Sequence, residues 1–258
     1  MNLSAWLSAE ILGLGFLLTF ALLFYIFYYW KHRASYQKEL EELRRIDAFT
    51  RLRKTIGQAI ENGRGLQISI GSGGLNGIRG AAGLVSLSML LVITQKSCKG
   101  DQSPQVTSGD GALASLAQDT LHKAYRLAAV ESNSKASQNQ VTGITPFSYA
   151  AGAMLTILDQ PLQANLLAGN FGSEAGLLAE AGERSSQLVI AGSDGLPAQS
   201  VMLATADDAL IGEELFAGGA YLSAEPSHEA SVKAQDILRW IIILIILAGV
   251  ILKLAGAL

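Results

Sequence analysis

The distribution of apolar positions divides the chain into two apolar end segments and a mixed central region. Residues 11–30 contain no charged side chain and end in a cluster of aromatic residues. A helix of this length spans a bilayer core of about 30 Å. Residues 240–258 form a second apolar segment. We therefore expect transmembrane helices at 11–30 and 240–258.

Basic residues near the two apolar segments indicate their orientation. Residues 1–10 carry only Glu10 as a charged side chain, whereas several Lys and Arg follow the first segment, beginning at Lys31. Lys233 and Arg239 precede the second segment. Because positively charged flanks remain in the cytoplasm, we expect a two-pass protein with a cytoplasmic main domain and both termini outside.

Residues 31–64 carry many charges of both signs and read as a stalk helix. Apolar side chains recur there at spacings of three and four, the pattern of an amphipathic helix. Three interpretations stay open: packing on the protein's own domain, a lateral contact between subunits, or a helix on anionic lipid. The length of the apolar stripe favours the contact between subunits. The candidate contact residues are Leu40, Leu43, Ile46, Phe49, Leu52 and Ile56.

The central region, residues 65–225, alternates short apolar runs with segments of helical periodicity. This alternation indicates a single α/β domain with a largely parallel sheet and helices on both faces. The apolar run 80–94 is short for a membrane span, so we expect a buried helix, with a membrane segment as the alternative. Residues 226–239 are expected to form a juxtamembrane helix. Strands are predicted at 66–70, 104–108, 163–171, 187–191 and 199–205, with an extended segment at 141–146, and helices at 80–94, 112–130, 147–158 and 174–184.

Composition narrows the choice of partners. A chain of 258 residues allows one medium domain plus two anchors. The net charge of -3 gives no general attraction to nucleic acid. The single cysteine, Cys98, excludes an internal disulfide and fits a reducing compartment. The expected partners are therefore the lipid bilayer and further copies of the chain, as a homo-oligomer, without nucleic acid.

Three predicted strand ends lead into turns of small residues. In a parallel sheet such turns meet at the carboxyl edge, where ligands bind. Glycines there let backbone N–H groups approach a phosphate, although tight turns and close packing are the commoner reason for glycine. The candidate ligand-binding residues are Gly71, Ser72, Gly73, Gly74, Ser108, Gly109, Asp110, Gly111, Gly192, Ser193 and Asp194.

The motifs at these turns assign no chemistry. The first turn contains neither G-x-G-x-x-G nor the Gly-Lys-Ser/Thr of a P-loop. Asp110 and Asp194 would repel a phosphate unless a metal intervened, and with Asp207 and Asp208 they could bind Mg²⁺, although Asp is common in turns. Ser108 with His122 is a weak nucleophile–base pair. We assign no catalytic residue, no metal ligand and no cofactor.

Several segments together resemble a known family. The combination resembles a bacterial family of membrane proteins classed as a domain of unknown function, over roughly residues 65–240. The family carries no assigned activity, so the resemblance implies a bacterial cytoplasmic membrane protein and transfers no catalytic residue. The segments are Ile68-Ser-Ile-Gly-Ser-Gly-Gly-Leu-Asn-Gly-Ile-Arg-Gly80, Thr107-Ser-Gly-Asp-Gly111, Gln118-Asp-Thr-Leu121, Thr145-Pro-Phe-Ser-Tyr-Ala-Ala-Gly152, Gly169-Asn-Phe-Gly172, Gly192-Ser-Asp-Gly-Leu-Pro-Ala-Gln199, Ile211-Gly-Glu-Glu-Leu-Phe-Ala-Gly-Gly-Ala-Tyr221 and Ala234-Gln-Asp-Ile-Leu-Arg-Trp240.

The sequence alone favours a membrane-anchored, non-enzymatic scaffold that forms a homo-oligomeric assembly on the cytoplasmic face of the membrane. One alternative is a sensor or enzyme that binds a nucleotide or phosphate at the glycine-rich turns. A further alternative is an accessory subunit of a transport or secretion complex.

Overall fold

A computed structural model describes residues 14–26, 28–29, 45–75, 80–129, 139–185, 187–223 and 226–254. The chain forms two compact units. One unit is Arg44–Ser223, and the other draws on the two ends of the chain. The first unit contains the sheet and the candidate ligand-binding residues.

The sheet of this unit has six strands, all parallel, in the order β3-β2-β1-β4-β5-β6. This is the order of a doubly wound fold, in which the winding direction reverses between β1 and β4. β1 and β4 lie at the centre of the sheet. Most residues of both strands are buried, as expected for a parallel sheet covered on both faces. The strands are β1 (Gly65–Gly71), β2 (Gln105–Ser108), β3 (Asn139–Val141), β4 (Leu162–Asn170), β5 (Leu188–Ser193) and β6 (Asp208–Leu210).

Helices cover both faces of the sheet, and the α/β fold with a parallel sheet is confirmed. One core contains Phe49, Leu90 and Leu121 from helices α2, α3 and α4, and the opposite core contains Tyr149, Leu178 and Met202 from α5, α6 and α7. The helices of this unit are α2 (Asp47–Asn62), α3 (Gly80–Ser97), α4 (Gly111–Leu127), α5 (Pro146–Asp159), α6 (Ala175–Arg184), α7 (Leu196–Thr205) and α8 (Gly218–Ser223).

The second unit contains the short apolar helix α1 (Leu14–Ile26) and the long helix α9 (Pro226–Leu254). Among the residues that the structure describes, one helix is long and apolar enough to cross a membrane, and it is α3. However, 61% of the apolar window of α3 is buried inside the protein. Met89, Leu90 and Ile93 pack in the core, so α3 has the environment of the expected buried helix.

Part of the segment that was expected to form a stalk belongs to the domain. Within α2, Phe49, Leu52 and Ile56 are buried in the same core as β1 and β4. The compact unit therefore begins before residue 65. Gly63 ends α2 in the left-handed conformation, with φ of 62°, because glycine adopts this geometry without strain.

One predicted strand is wrong. Residues 199–205 belong to helix α7, which has Pro197 in its first turn. Ala198 and Met202, four residues apart, are the buried positions of α7, which is helical spacing. The edge strand β6 follows instead, over Asp208–Leu210.

Candidate functional site

Four strand ends lie side by side at the carboxyl edge of the sheet, because β2, β1, β4 and β5 are neighbours. Each leads into a turn of small or polar residues. Three of these turns are predicted from the sequence, and the turn after β4 is the fourth. We define the switch-point turns as residues 71–74, 108–111, 170–174 and 193–195. They surround the β1/β4 switch point, the position at which doubly wound sheets bind ligands.

Hydrogen bonds join these turns to one another. The Gly109 N–H donates to the Gly71 carbonyl oxygen at 2.9 Å, and the Ser72 N–H donates to the Asn170 carbonyl oxygen at 3.1 Å. The Asn170 side-chain amide donates to Asp194 Oδ1 at 2.6 Å. The turns after β2, β1, β4 and β5 therefore form one connected surface.

Close packing accounts for several of the glycines. Gly71 has φ of +86°, and a Cβ at this position would collide with the Asn170 carbonyl. A Cβ at Gly109 would lie 2.8 Å from Ser72 Cα. Similar crowding affects Gly73 against Asn170, and Gly192, inside β5, against Leu210.

Open space remains at two other predicted positions. A Cβ at Gly111 would meet no atom within 4 Å. The nearest atom to a Cβ at Gly74 would be Asp110 Oδ2 at 3.6 Å, an ordinary contact distance. Among the residues that the structure describes, none crowds the side-chain positions of Gly74 and Gly111.

Many backbone N–H groups nearest the strand ends already donate within the protein. The acceptors are backbone oxygens, the Ser108 and Ser193 hydroxyls, and the Glu174 carboxylate. These donors are the groups that hold phosphate in glycine-rich loops. The donating groups are the N–H of Ser72, Gly73, Gly109, Asp110, Phe171, Gly172 and Gly195.

A carboxylate stands at the start of each of three helices at this edge. Asp110 caps α4 because its Oδ1 accepts a hydrogen bond from the Leu113 N–H at 2.9 Å. Glu174 is the residue directly before α6, and Asp194 lies two residues before α7. A negative side chain is favourable at the positive, amino-terminal end of a helix. The three carboxylates therefore occupy the positions at which a phosphate would otherwise bind.

Sequence reasoning missed Glu174, the most buried of these carboxylates. Its side chain is 2% exposed. Oε1 accepts from the Gly172 N–H at 2.8 Å and from Ser72 Oγ at 3.4 Å, which links the turns after β1 and β4. Oε2 accepts no hydrogen bond from the residues that the structure describes. The signal available in the sequence was the fourth turn, Gly169-Asn-Phe-Gly172, after a buried strand.

A buried polar network lies beneath the turns. Tyr149 is fully buried, its hydroxyl lies 3.4 Å from Thr107 Oγ1, and Thr107 Oγ1 lies 3.0 Å from Ser69 Oγ. Burial raises the pKa of the Tyr149 phenol, although its hydrogen bonds to Thr107 and Ser69 act in the opposite direction. The network fixes the ends of β1 and β2 under Gly71.

The remaining candidates lie apart from the turns. Asp207 Oδ2 accepts a hydrogen bond from the Val189 N–H at 2.8 Å. Asp208 Oδ2 lies 3.3 Å from Arg51 Nη1. Desolvation raises the pKa of Asp208, although Arg51 acts in the opposite direction. Within the described ranges, no group of three His, Cys, Asp or Glu residues could hold a metal ion. His122 is exposed about three turns along α4 from Ser108, too far for a nucleophile–base pair.

A polar cavity of about 340 Å³ lies at the other edge of the sheet. Two of its lining residues lie on the sheet, Gln105 as the first residue of β2 and Gln140 in the edge strand β3. Asp159 and Gln160, at the end of α5, also line it. This cavity is therefore separate from the switch-point turns.

The predicted contact stripe lies mostly within the domain or outside the described residues. Phe49, Leu52 and Ile56 are enclosed in the core, so their side chains are not available at the surface for a contact between subunits. Ile46 is half-buried against the same core. Leu40 and Leu43 lie outside the described residues.

Comparisons with known proteins place the chain in a family. No curated protein matches the chain, and no solved structure matches it. Residues 5–258 match the family model described as Domain of unknown function (DUF6754). This match confirms the resemblance to a domain of unknown function and extends it over nearly the whole chain. The chain therefore belongs to the DUF6754 family.

Proposed function

We propose that this protein is a membrane-anchored small-ligand-binding protein whose α/β domain binds its ligand at the switch-point turns. The observation that carries the proposal is the convergence of four turns on the β1/β4 switch point. In doubly wound sheets the connections on the two sides of such a point leave on opposite faces, and ligands bind in the crevice between them. The small residues at Gly74 and Gly111 leave space there.

The second unit supports the membrane anchor in this proposal. Trp240 to Leu247 of α9 are eight consecutive apolar residues, each at least 38% exposed. They point in all directions around the helix, and so large an apolar surface is unfavourable in water. In α1, Leu14, Leu17 and Leu18 are also exposed. A bilayer would cover both segments, and the basic residues then favour a cytoplasmic domain.

The scaffold role favoured by the sequence stays a prediction, as does the accessory role in a transport or secretion complex. The scaffold hypothesis relied on a long exposed apolar stripe. Because the described part of that stripe is largely buried, the ligand-binding alternative has the stronger structural support.

Thermal unfolding of the full chain in detergent tests the proposed function. A panel of nucleosides, nucleotides, sugars and inorganic phosphate should contain at least one compound that raises the Tm, because a ligand of the folded state stabilises it. Gly74→Leu, which fills the open space beside Asp110, should abolish this increase.

Gly57→Leu is the matched control. Gly57 lies on α2, and a Cβ there would also meet no atom within 4 Å. This variant should unfold near the Tm of the wild type and retain the ligand-induced increase. If no compound raises the Tm, or if Gly74→Leu retains the whole increase, ligand binding at the turns is contradicted.

A further inference from the structure

We propose that the polar cavity at the amino edge of the sheet is a second binding site, and that it takes a small organic molecule with a primary ammonium group. The cavity has a volume of about 340 Å³. None of its described lining residues belongs to the switch-point turns. The inference therefore goes beyond the proposed function and does not depend on it.

Two glutamines on neighbouring strands face the cavity. Gln105 and Thr107 lie two residues apart on β2, so their side chains point to the same face of the sheet. Thr107 approaches Tyr149 of α5 on that face, whereas Val106 packs in the core on the other face. Gln140 of β3 is the register partner of Thr107 and points the same way. Both amides therefore face α5.

Helix α5 supplies the opposite wall of the cavity. Gly152, Thr156 and Asp159 line it. They follow one another at spacings of four and three, so they share one face of the helix. Asp159 is exposed to solvent and Gln105 is buried. The cavity therefore extends from an acidic residue at the surface to an amide inside the domain.

The polar groups in the cavity lack partners in the described part of the chain. Four lining side chains make no hydrogen bond to any residue that the structure describes: Gln105, Gln140, Thr156 and Asp159. Gln105 is only 8% exposed, and side-chain amides buried to this extent are usually hydrogen-bonded. A molecule bound in the cavity would supply the partner that the Gln105 amide lacks.

The charge around the cavity favours a cation. Among the described lining residues, Asp159 alone is charged, and it is the last residue of α5. The carboxyl end of a helix carries a partial negative charge, and α5 has no basic residue in its last turn. The carboxylate and the helix end therefore act together, attracting a cation and repelling an anion such as phosphate.

The size and the ligand types favour an organic ammonium group over a metal ion. The volume lies within the range of small-molecule sites. Divalent metal ions need several oxygens that converge on one point, and the described residues contain no group of acidic, His or Cys side chains suited to this. A primary ammonium group carries three N–H donors. The carboxylate of Asp159, the hydroxyl of Thr156 and the glutamine carbonyls can accept from them.

Isothermal titration calorimetry of the full chain in detergent tests the inference. The probes are three amines, namely ethanolamine, putrescine and aminocyclohexanol. Each is compared with the neutral alcohol of the same skeleton, namely ethanediol, butanediol and cyclohexanediol. At least one amine should bind with saturation, and its alcohol should give no binding heat at the same concentrations.

Two variants assign the binding to the cavity. Asp159→Asn removes the charge at an exposed position, and Gln105→Leu removes the buried amide at similar volume. Each should weaken binding of the amine at least about threefold, because each removes a hydrogen-bond partner of the ammonium group. If Gln105→Leu does not fold, Asp159→Asn decides. Asp119→Asn is the matched control, since Asp119 is an exposed residue of α4, and it should bind the amine as the wild type does.

Three results would overturn the inference: no binding of any amine, equal binding of an amine and its alcohol, or unchanged affinity in Asp159→Asn. Gly74→Leu separates this site from the switch-point turns, and it should retain amine binding in full. Loss of amine binding in Gly74→Leu would place the amine at the turns and would also overturn the inference. The proposed function is judged by the nucleoside, nucleotide, sugar and phosphate panel, so either proposal can fail while the other stands.

Discussion

At the scale of single residues, the glycines after β1 and β2 divide into those that allow close packing and those beside open space. Gly71 has φ of +86° and lies against the Asn170 carbonyl. A Cβ at Gly111, the first residue of α4, would have no neighbouring atom within 4 Å. The same residue type therefore has two different roles in adjacent turns.

Replacement of Gly71 by alanine should be strongly destabilising. A left-handed conformation of a non-glycine residue costs about 1–3 kcal/mol, and the collision with a backbone oxygen adds to this cost. We expect chemical denaturation to show a free energy of unfolding lower by at least about 2 kcal/mol. Gly111→Ala, its control, should change the free energy by less than about 0.5 kcal/mol. Equal losses for the two variants would contradict the packing described for Gly71.

The buried phenol of Tyr149 should make stability depend on alkaline pH. Burial raises its pKa in the folded state, whereas the pKa of an unfolded tyrosine is about 10. The stabilising contribution is therefore complete below about pH 10 and is lost as the pH rises through the folded pKa. Tyr149→Phe should flatten the fall in unfolding free energy above about pH 10.

Urea denaturation at a series of alkaline pH values measures this dependence. Tyr149→Phe should also lower stability at neutral pH by about 1 kcal/mol, because the hydrogen bond to Thr107 is lost. An identical pH dependence in the variant and the wild type would show that Tyr149 does not cause the fall in unfolding free energy at alkaline pH.

At the scale of elements, α2 is a component of the domain. Phe49, Leu52 and Ile56 share a core with β1 and β4. Removal of α2 would expose this core to water, and large buried side chains each contribute about 2–5 kcal/mol.

Two fragments distinguish the alternative domain boundaries. Residues 44–223 should fold and unfold cooperatively in thermal denaturation followed by circular dichroism. Residues 65–223, the shorter fragment without α2, should aggregate or unfold without a cooperative transition. If the shorter fragment is as stable as the longer one, α2 is not part of the core.

The elements also show which features a sequence can reveal. β1 was predictable because Leu66, Ile68 and Ile70 alternate with polar residues directly before a glycine-rich turn. β4 was predictable because the apolar run 166–168 precedes the turn Gly169-Asn-Phe-Gly172. α7 was mistaken for a strand because Val201, Met202 and Leu203 form a short apolar run, and period alone does not separate short strands from short helices. β6 has three residues, Asp208–Leu210, too few for a recognisable pattern.

The candidate site was predictable in part. The three turns with repeated Gly, Ser and Asp were visible in the sequence, and parallel strands bring such turns to one edge. The partners of each N–H group were not visible, because they depend on how the turns pack against one another. Glu174 was missed for this reason, since its role depends on the approach of Ser72 and Gly172.

At the scale of the whole molecule, we propose a ligand-binding domain joined to a membrane anchor. The exposed apolar residues of α9 should hold the full chain in the membrane. We expect the full chain to sediment with membranes and to resist alkaline carbonate extraction. Fragment 44–223 should remain in the supernatant. Release of the full chain by carbonate would contradict the transmembrane anchor.

Hydrogen–deuterium exchange of the full chain in detergent, with and without a saturating concentration of a panel compound that raises the Tm, tests the central claim most directly. We expect slower exchange in peptides that contain residues 71–75, 108–111, 170–174 and 193–195, since these turns share one ligand. Slower exchange at the opposite cavity, in peptides that contain Gln105 and Asp159, would contradict the claim. Unchanged exchange at all four turns, despite a ligand-induced increase in Tm, would contradict it equally.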